Sequence, residues 1–557
     1  MASKLVPAID WIKDYKKQTL KSDFLAGITL AAYGIPVSLA YATLAGLPPQ
    51  YGIYGYLIGG LFYALLGTSK QLAIGPTSAI SLLVGTTTVT MAQGDMNRWA
   101  EIASLTALVF AVMAVLAYLL KLSGIINFIS ETVLVGFKAG AAITIGLTQL
   151  PKLFGVKGGG DNFFERCVIL LQQIPNLNTT VFLFGIAAVI LLILGEKFAP
   201  GRPIAILIVI LSIILISATS LGNAGFNTVG VIPTGLPEFH LPSISIHDVD
   251  GVLPLAMACF LLSYIESVSA GRTLAQKNGY TIDPRQELLA LGIANAAVAI
   301  GQGYPVAGGL SQSAVNDKAG AKTPLSLLFC SATIAFCLLF LTGFLQNLPT
   351  VILAAVVLVA IRGLVDIKEM KYLYKINKQE FAVAMIALVG VLIWGILAGV
   401  LLATIVTLLL LLKAASKPNV AFLGRVPGTN YYTDMERHPD NEKIADMLIV
   451  RIEFSIFYFN VEYIREKIWE KIYSEPASLK TVILDLNSAP RVDIAGARFL
   501  KQLYIDLKAK NITLKIGEAR AEVRDCLRAE NLEAFVGHIS RSVSVDDLVV
   551  HALQDNH

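Results

Sequence analysis

Runs of apolar residues long enough to cross a lipid bilayer recur through most of this chain and stop only near its last quarter. A helix rises about 1.5 Å per residue against a hydrocarbon layer of roughly 30 Å, so about 20 such residues make one crossing. Stretches of this kind lie at 103–121, 179–195, 203–221, 252–270, 324–345, 349–365, 380–396 and 397–413. The region 24–92 predicts three more, broken by Gly and Pro, and 125–150 predicts another with a lysine inside it. Two segments, 286–303 and 310–317, are shorter and rich in Gly and Ala. The expectation is an α-helical polytopic membrane protein with about fourteen spans.

Charge divides the chain in two. Of its 557 residues 15% are charged, against about 25% in a soluble domain, and roughly half of those charges follow Lys413. From about Met447 the pattern changes to strands alternating with amphipathic helices. Strands are expected at Leu448–Ile456, Thr481–Leu486 and 511–516, and helices at Val461–Ile472, Ile494–Lys508, 520–528 and 543–554. That alternation predicts a small α/β domain. The expected organisation is an N-terminal segment 1–22, a membrane region 23–414, a linker 415–445 and a terminal domain 446–557.

Orientation follows from cations flanking the spans. Lys4, Lys13, Lys16, Lys17 and Lys21 precede the first span, and Lys413 and Lys417 leave the last. Both termini therefore read as cytoplasmic, with 156–177 and 222–250 outside, in a plasma or inner membrane. A net charge of +4 is too small to point to nucleic acid. Cys167, Cys259, Cys330, Cys337 and Cys526 show neither metal-ligand nor disulfide spacing, and no metal or cofactor is expected. No nucleophile–base pair or phosphate-cradling loop is present, which argues against an enzyme.

Two interruptions carry the chemistry. One is Ala73-Ile74-Gly75-Pro76-Thr77-Ser78; the other runs from Gly303 through Pro305, Gly308, Gly309, Ser311 and Gln312 to Asn316. Irregular backbone survives in lipid only where protein or a wet cavity satisfies its polar groups. A helix that starts in mid-membrane presents unpaired N–H groups and a partial positive charge. Two such starts facing each other would bind an anion without a cationic side chain. Small residues there could instead serve close helix packing.

Glu266 lies within a span, where an ionised carboxylate costs at least a few kcal/mol, so it should face a cavity or carry a proton. The alternative is a headgroup position beside Arg272. Lys138 shares a helical face with Glu131, which suggests an ion pair or a snorkelling chain, with anion attraction as the second reading. Arg362 reads as an interfacial anchor. Tyr41 follows Pro36, which loosens the first span, and could line a cavity.

Several of these segments resemble the SulP family of anion transporters. The signature runs through Asp23–Tyr54, with Ala-Gly-Ile-Thr (26–29), Ile-Pro (35–36) and Ala-Gly-Leu-Pro-Pro (45–49), then Gly-Pro-Thr (75–77). The most specific matches are Lys277-Asn278-Gly279-Tyr280 and Gln286 to Asn295, leading into Ser311–Asn316 and Ala319–Thr323. The tail, with Val482–Leu486 and Val492-Asp493-Ile494-Ala495-Gly496, resembles a STAS domain. The resemblance implies two inverted seven-span repeats with broken third and tenth helices, a core moving against a gate, and a homodimer. It places the substrate against Tyr41, Thr77, Ser78, Ser311 and Gln312, with Glu266 at the acidic position that proton-coupled members use.

Three positions depart from the family pattern. Val37 stands where many relatives have Gln, and Gln312 where many have Arg. Ile494 and Ala495 follow Asp493 where phosphorylation-regulated STAS domains carry Ser. The leading expectation is proton-coupled transport of a small inorganic or organic oxyanion such as sulfate. The alternatives are sodium-coupled bicarbonate transport, an uncoupled exchanger or channel, and a membrane sensor acting through its tail.

Overall fold

In the computed structural model the described residues are 6–13, 15–92, 95–124, 130–160, 162–198, 204–219, 225–476 and 478–555. Lys4, the start of the span expected over 125–150, the ends of 203–221 and parts of both expected outer loops lie outside them. Two compact units are present, Met1–Val406 and Thr407–His557.

The first unit is built of helices. In chain order they are α1 (Leu20–Leu44), α2 (Gln50–Leu66), α3 (Ser78–Ala92), α4 (Met96–Leu119), α5 (Glu131–Phe154), α6 (Phe163–Gln173), α7 (Thr179–Phe198) and α8 (Ile204–Ala218). Then follow α9 (Ile246–Lys277), α10 (Pro284–Ile300), α11 (Leu310–Lys318), α12 (Leu325–Phe340), α13 (Thr350–Ile361), α14 (Ile367–Ile376), α15 (Lys378–Trp394) and α16 (Ile396–Ser416). Among the described residues five helices are long and apolar enough to cross a bilayer unaided. Of the others, α12 ends at Phe340, inside its apolar run 324–345, whereas α7 and α16 extend past theirs. One of the five, Thr350–Ile376, is composite: the 349–365 run yields a helix of 12 residues, about 18 Å long, before a tight turn at Arg362–Leu364 leads on to α14.

Packing sorts these helices into two groups. Helices α1 to α4 pack with α9 to α12, and α5, α7, α13 and α15 pack on one another, with α1 running beside α13 and α8. Between apolar helices in lipid there is little hydrophobic drive, so contact is set by close approach and by hydrogen bonds. Both devices are visible. A Cβ on Gly52 of α2 would stand 2.0 Å from the Ser38 carbonyl oxygen of α1. Asp23, fully buried at the head of α1, accepts from the backbone N–H groups of Lys322 (2.7 Å) and Thr323 (3.1 Å) and from the Thr323 hydroxyl (2.7 Å). That carboxylate ties α1 to the α11–α12 connection.

Two two-residue strands, β1 (Ile74–Gly75) and β2 (Ala307–Gly308), pair antiparallel, Ile74 opposite Gly308 and Gly75 opposite Ala307. They stand immediately before α3 and α11.

The second unit carries a mixed sheet in the order β4-β3-β5-β6-β7. Its strands are β3 (Val420–Arg425), β4 (Tyr432–Asp434), β5 (Met447–Ile452), β6 (Thr481–Asp485) and β7 (Thr513–Gly517). Strands β5, β6 and β7 are parallel, and β3 is antiparallel to both β4 and β5. Alternation sends Leu448, Val450 and Ile452 to one apolar face and Met447 and Ile449 to the other, so both faces are covered. Helix α17 (Val461–Ser474) buries Ile464, Ile468 and Ile472, one every four residues. Helices α18 (Ile494–Lys508), α19 (Ala521–Ala529) and α20 (Val545–Asp555) complete the unit.

The stretch 415–445, expected to be a linker, is corrected by this sheet: it supplies β4 at one edge and β3 between β4 and β5. Their turn chemistry, Pro427-Gly428, and their charged outer edge masked a short apolar run that has a partner only once β5 is in place. The first strand of the tail also ends at Ile452, four residues before the expected Ile456, because the chain bends there and Ile456 bridges Val492 instead. Arg451 and Asp485 form an ion pair at 2.6 Å across β5 and β6, with the carboxylate fully buried. Burial, reinforced by its hydrogen bond to Asp546, pushes the Tyr432 hydroxyl up to about 12.

Candidate functional site

The β1–β2 ladder is where the two interruptions meet. Its glycines are required by space: a Cβ on Gly75 would stand 2.4 Å from the Tyr56 ring, and one on Gly308 2.7 Å from the Leu72 side chain. Gly75 and Gly308 therefore form the floor and do not face the hollow.

Such a ladder inside a helical body leaves backbone groups to be satisfied, and buried polar side chains do this. Asn295 of α10 brackets Val306, accepting from its N–H at 2.8 Å and donating to its carbonyl at 3.2 Å. Ser263 donates to that same carbonyl at 3.1 Å, and Ser267 accepts from the Gly308 N–H at 2.8 Å. Ser313 accepts from Ala73 N–H at 2.9 Å, and Asn316 donates to Gln71 carbonyl at 3.1 Å. None of these five was given this role from sequence, although Asn295 and Asn316 are unusual in apolar surroundings and that was the available signal.

Above the ladder lies a cavity of about 110 Å³. It is large enough for several waters or one small anion. Tyr33, Val37 and Tyr41 of α1 line it at four-residue spacing; Pro76, Thr77 and Ser78 enter from the start of α3, and Gly309, Ser311 and Gln312 from the start of α11. Helix α9 contributes Glu266, then Ser269 and Thr273 one and two turns on. The structure thus brings together Tyr41, Pro76, Thr77, Ser78, Glu266, Gly309, Ser311 and Gln312. Ser269 and Thr273 were missed, although their helical spacing from Glu266 would have found them.

Two features of the wall stand out physically. Glu266 Oε2 and Thr77 Oγ1 are both buried without a hydrogen-bond partner among the described residues. A buried acceptor left unmade costs about 1–3 kcal/mol, more if charged, so these atoms are built for a water, a proton or a ligand. Lys138, half-buried on α5, also lines the cavity. Among the described residues it forms no ion pair with Glu131, which is exposed. It faces the same hollow as Glu266 instead.

Gln312 has a different position from that of a free donor. Its amide N–H groups go to the carbonyls of Ala73 (3.1 Å) and Ala307 (3.2 Å). Both neighbours are acceptors, which fixes which end of the amide faces them. Gln312 thereby staples the backbone entering α3 to that entering α11.

The charge available in the hollow can be added up. Each helix start supplies about +0.5 and Lys138 supplies +1, against −1 from an ionised Glu266. The balance is about +1 with Glu266 ionised and about +2 with it protonated.

A polar hollow between two half-helices, enclosed by helices of bilayer length, defines a membrane transporter. More particularly, the chain belongs to the sulfate permease family: that family's model matches residues 20–387, and a STAS domain model matches residues 438–545. It is 32% identical over 569 residues to sulfate transporter 4.1, chloroplastic, of Arabidopsis thaliana, covering 99% of this chain and 83% of that one. A probable sulfate transporter of Mycobacterium tuberculosis is 30% identical over 531 residues, 95% of each chain. In fold it matches the murine solute carrier 26 family member A9 anion transporter in the inward-facing state, with a TM-score of 0.91 at 21% identity over 99% of this chain and 94% of that one. The protein is an integral, multi-pass membrane transporter and not an enzyme.

Proposed function

We propose that the chain carries a small oxyanion, sulfate by preference, across the membrane, and that a proton on Glu266 travels with it. The observation that carries this reading is the pair of unpartnered atoms, Thr77 Oγ1 and Glu266 Oε2, in a hollow fed by two helix starts. The anion docks between the first turns of α3 and α11, receiving N–H groups together with the hydroxyls of Thr77, Ser78, Ser311 and Tyr41. A dianion is balanced at about +2, which requires Glu266 to be protonated, and the protonated carboxyl can then donate to it. A monoanion would be balanced without the proton.

The movement is a displacement of one packing group, α1 to α4 with α9 to α12, against the other. Counting α6 and α14 as surface helices leaves seven membrane helices from α1 to α8 and seven from α9 to α16, with β1 and β2 at corresponding places; this supports two inverted repeats. Both termini are assigned to the cytoplasm, residues 446–557 to a regulatory domain, and the working unit to a homodimer.

Radiolabelled sulfate uptake into proteoliposomes at pH 5.5 and pH 8 tests the coupling. Wild-type uptake should be faster at pH 5.5, and Glu266→Gln, held neutral, should remove most of that difference. A Glu266→Gln protein with wild-type pH dependence refutes the proton role. Uptake that requires sodium on the anion side assigns the co-ion to sodium instead.

A further inference from the structure

A second cavity, of about 600 Å³, lies on the same helices and takes no part in the site above. It is lined by Thr43 and Leu44 at the end of α1, Leu82 and Gly85 of α3, Trp99 of α4, and the last turns of α5. The connection to α6 closes it with Lys157, Gly158, Gly159 and Gly160, and α6 itself adds Arg166. Both cavities are thus bounded by α1, α3 and α5. On α1 they are separated by the two residues from Tyr41 to Thr43, and on α3 by the single turn from Ser78 to Leu82, about 6 Å.

Three cations line this second cavity, Lys152, Lys157 and Arg166, and no carboxylate lines it among the described residues. Lys152 and Lys138 stand fourteen residues apart on α5, about 21 Å along the axis and within about 40° of the same direction. One helix face therefore presents a lysine to each cavity. The Lys152 ammonium contacts the Thr43 hydroxyl at 3.4 Å, a long bond that engages one of its three donors. Trp99 Nε1 is a buried donor with no partner among the described residues. The wall between Lys157 and Arg166 is kept open by three glycines in succession with φ of +72°, +141° and +96°. Gln173 pins that loop, accepting from Gly158 N–H at 2.9 Å and donating to Gly158 carbonyl at 3.2 Å. Arg166 Nε donates to the Gly160 carbonyl at 2.9 Å, which fixes its guanidinium beside the same loop.

We propose that this cavity is a capture site for the transported oxyanion at the membrane face opposite the one where α1 begins. Lys152, with Lys157 and Arg166, holds a tetrahedral dianion there before it passes the Leu44–Leu82 septum to the helix starts. The proposal rests on the oxyanion-transport reading. It adds a second binding locus, with Lys152 as the contact nearest the septum. A basic cleft of this kind raises the local concentration of anions, and it does so less as salt increases.

The test combines uptake with direct binding. In proteoliposomes, Lys152→Gln should raise the KM for sulfate about five- to tenfold while changing the maximal rate much less, and it should flatten the fall of uptake with ionic strength. Lys157→Gln should give a smaller change of the same kind, and Lys152→Arg should restore the wild-type KM. An unchanged KM and salt dependence in a Lys152→Gln protein that melts and elutes like wild type overturns the proposal. Binding of radiolabelled sulfate to the purified full chain separates this from the transport reading. If wild type carries no sulfate but binds it, and Lys152→Gln loses that binding, the capture site stands while the transport reading falls. If wild type and Lys152→Gln bind sulfate equally, the capture site is refuted whatever uptake shows.

Discussion

Gln312 offers a sharp test of how the site is held. It is 4% exposed, and its two N–H groups reach carbonyls of Ala73 and Ala307, residues that are themselves fully buried. Truncation in Gln312→Ala removes two hydrogen bonds and leaves both acceptors without water. Each net bond contributes about 1 kcal/mol, and an unsatisfied buried group costs about 1–3 kcal/mol, so the loss should be about 2–4 kcal/mol. In Gln312→Glu the carboxylate can donate to neither carbonyl and opposes both, so that variant should be less stable than the alanine. Misplacing the start of α11 should also lower the maximal sulfate uptake at least tenfold, since about 1.4 kcal/mol on the barrier is enough. The assay is thermal melting of detergent-purified protein by intrinsic fluorescence, paired with uptake kinetics. A Gln312→Ala protein with the wild-type melting midpoint and only a raised KM would make Gln312 a substrate ligand and refute the staple argument. A glutamate variant more stable than the alanine would do the same.

Further outcomes are expected elsewhere. Arg451→Met leaves the buried Asp485 carboxylate unpaired and should cost the second unit about 3–5 kcal/mol, with Arg451→Met/Asp485→Leu recovering most of it in thermal melts. Gly52→Ala places a Cβ 2.0 Å from the Ser38 backbone oxygen and should destabilise the protein by about 1–3 kcal/mol or more and reduce uptake; a wild-type melt would show that α1 and α2 can separate freely. Glu475 is pushed up by burial, but hydrogen bonds from Lys443 and Lys471 outweigh this and hold its carboxyl below the usual carboxylate range. A carboxyl depressed in the folded state stabilises it fully above the unfolded pKa of about 4.3, and the benefit is lost as pH falls through the lower folded value. Hydrogen exchange at the end of α17, corrected for intrinsic rate, should therefore rise below pH 4 in wild type and be nearly independent of pH in Glu475→Gln.

Much of this architecture was legible in the residues because lipid imposes a strong rule. A chain with about 20-residue apolar runs has few alternatives to helices, and a Gly-Pro break within one must be sheltered. That rule drew attention to Pro76 and Gly309 and to the lone carboxylate of Glu266. The tail was equally readable where strands were buried on both faces, as in Val482 to Leu484. It failed at Val420–Arg425, whose strand character depends on a partner more than twenty residues away, and at Tyr432–Asp434, which pairs only with that strand.

Sequence alone thus determined the solvent each part of the chain inhabits and the points at which helices must break, since both follow from local composition and backbone chemistry. Tertiary structure decided what those breaks face. Only the pairing of Ile74–Gly75 with Ala307–Gly308 aims the two helix starts into one hollow. The placement of α5 beside them turns Lys138 from an expected partner of Glu131 into a cation lining the same hollow as Glu266. Gln312 becomes a fastener of the backbone only because Ala73 arrives at its amide from a distant part of the chain, beside the nearby Ala307. The strand pairing and the Ala73–Gln312 contact join residues more than two hundred positions apart, and no periodicity within a helix encodes them.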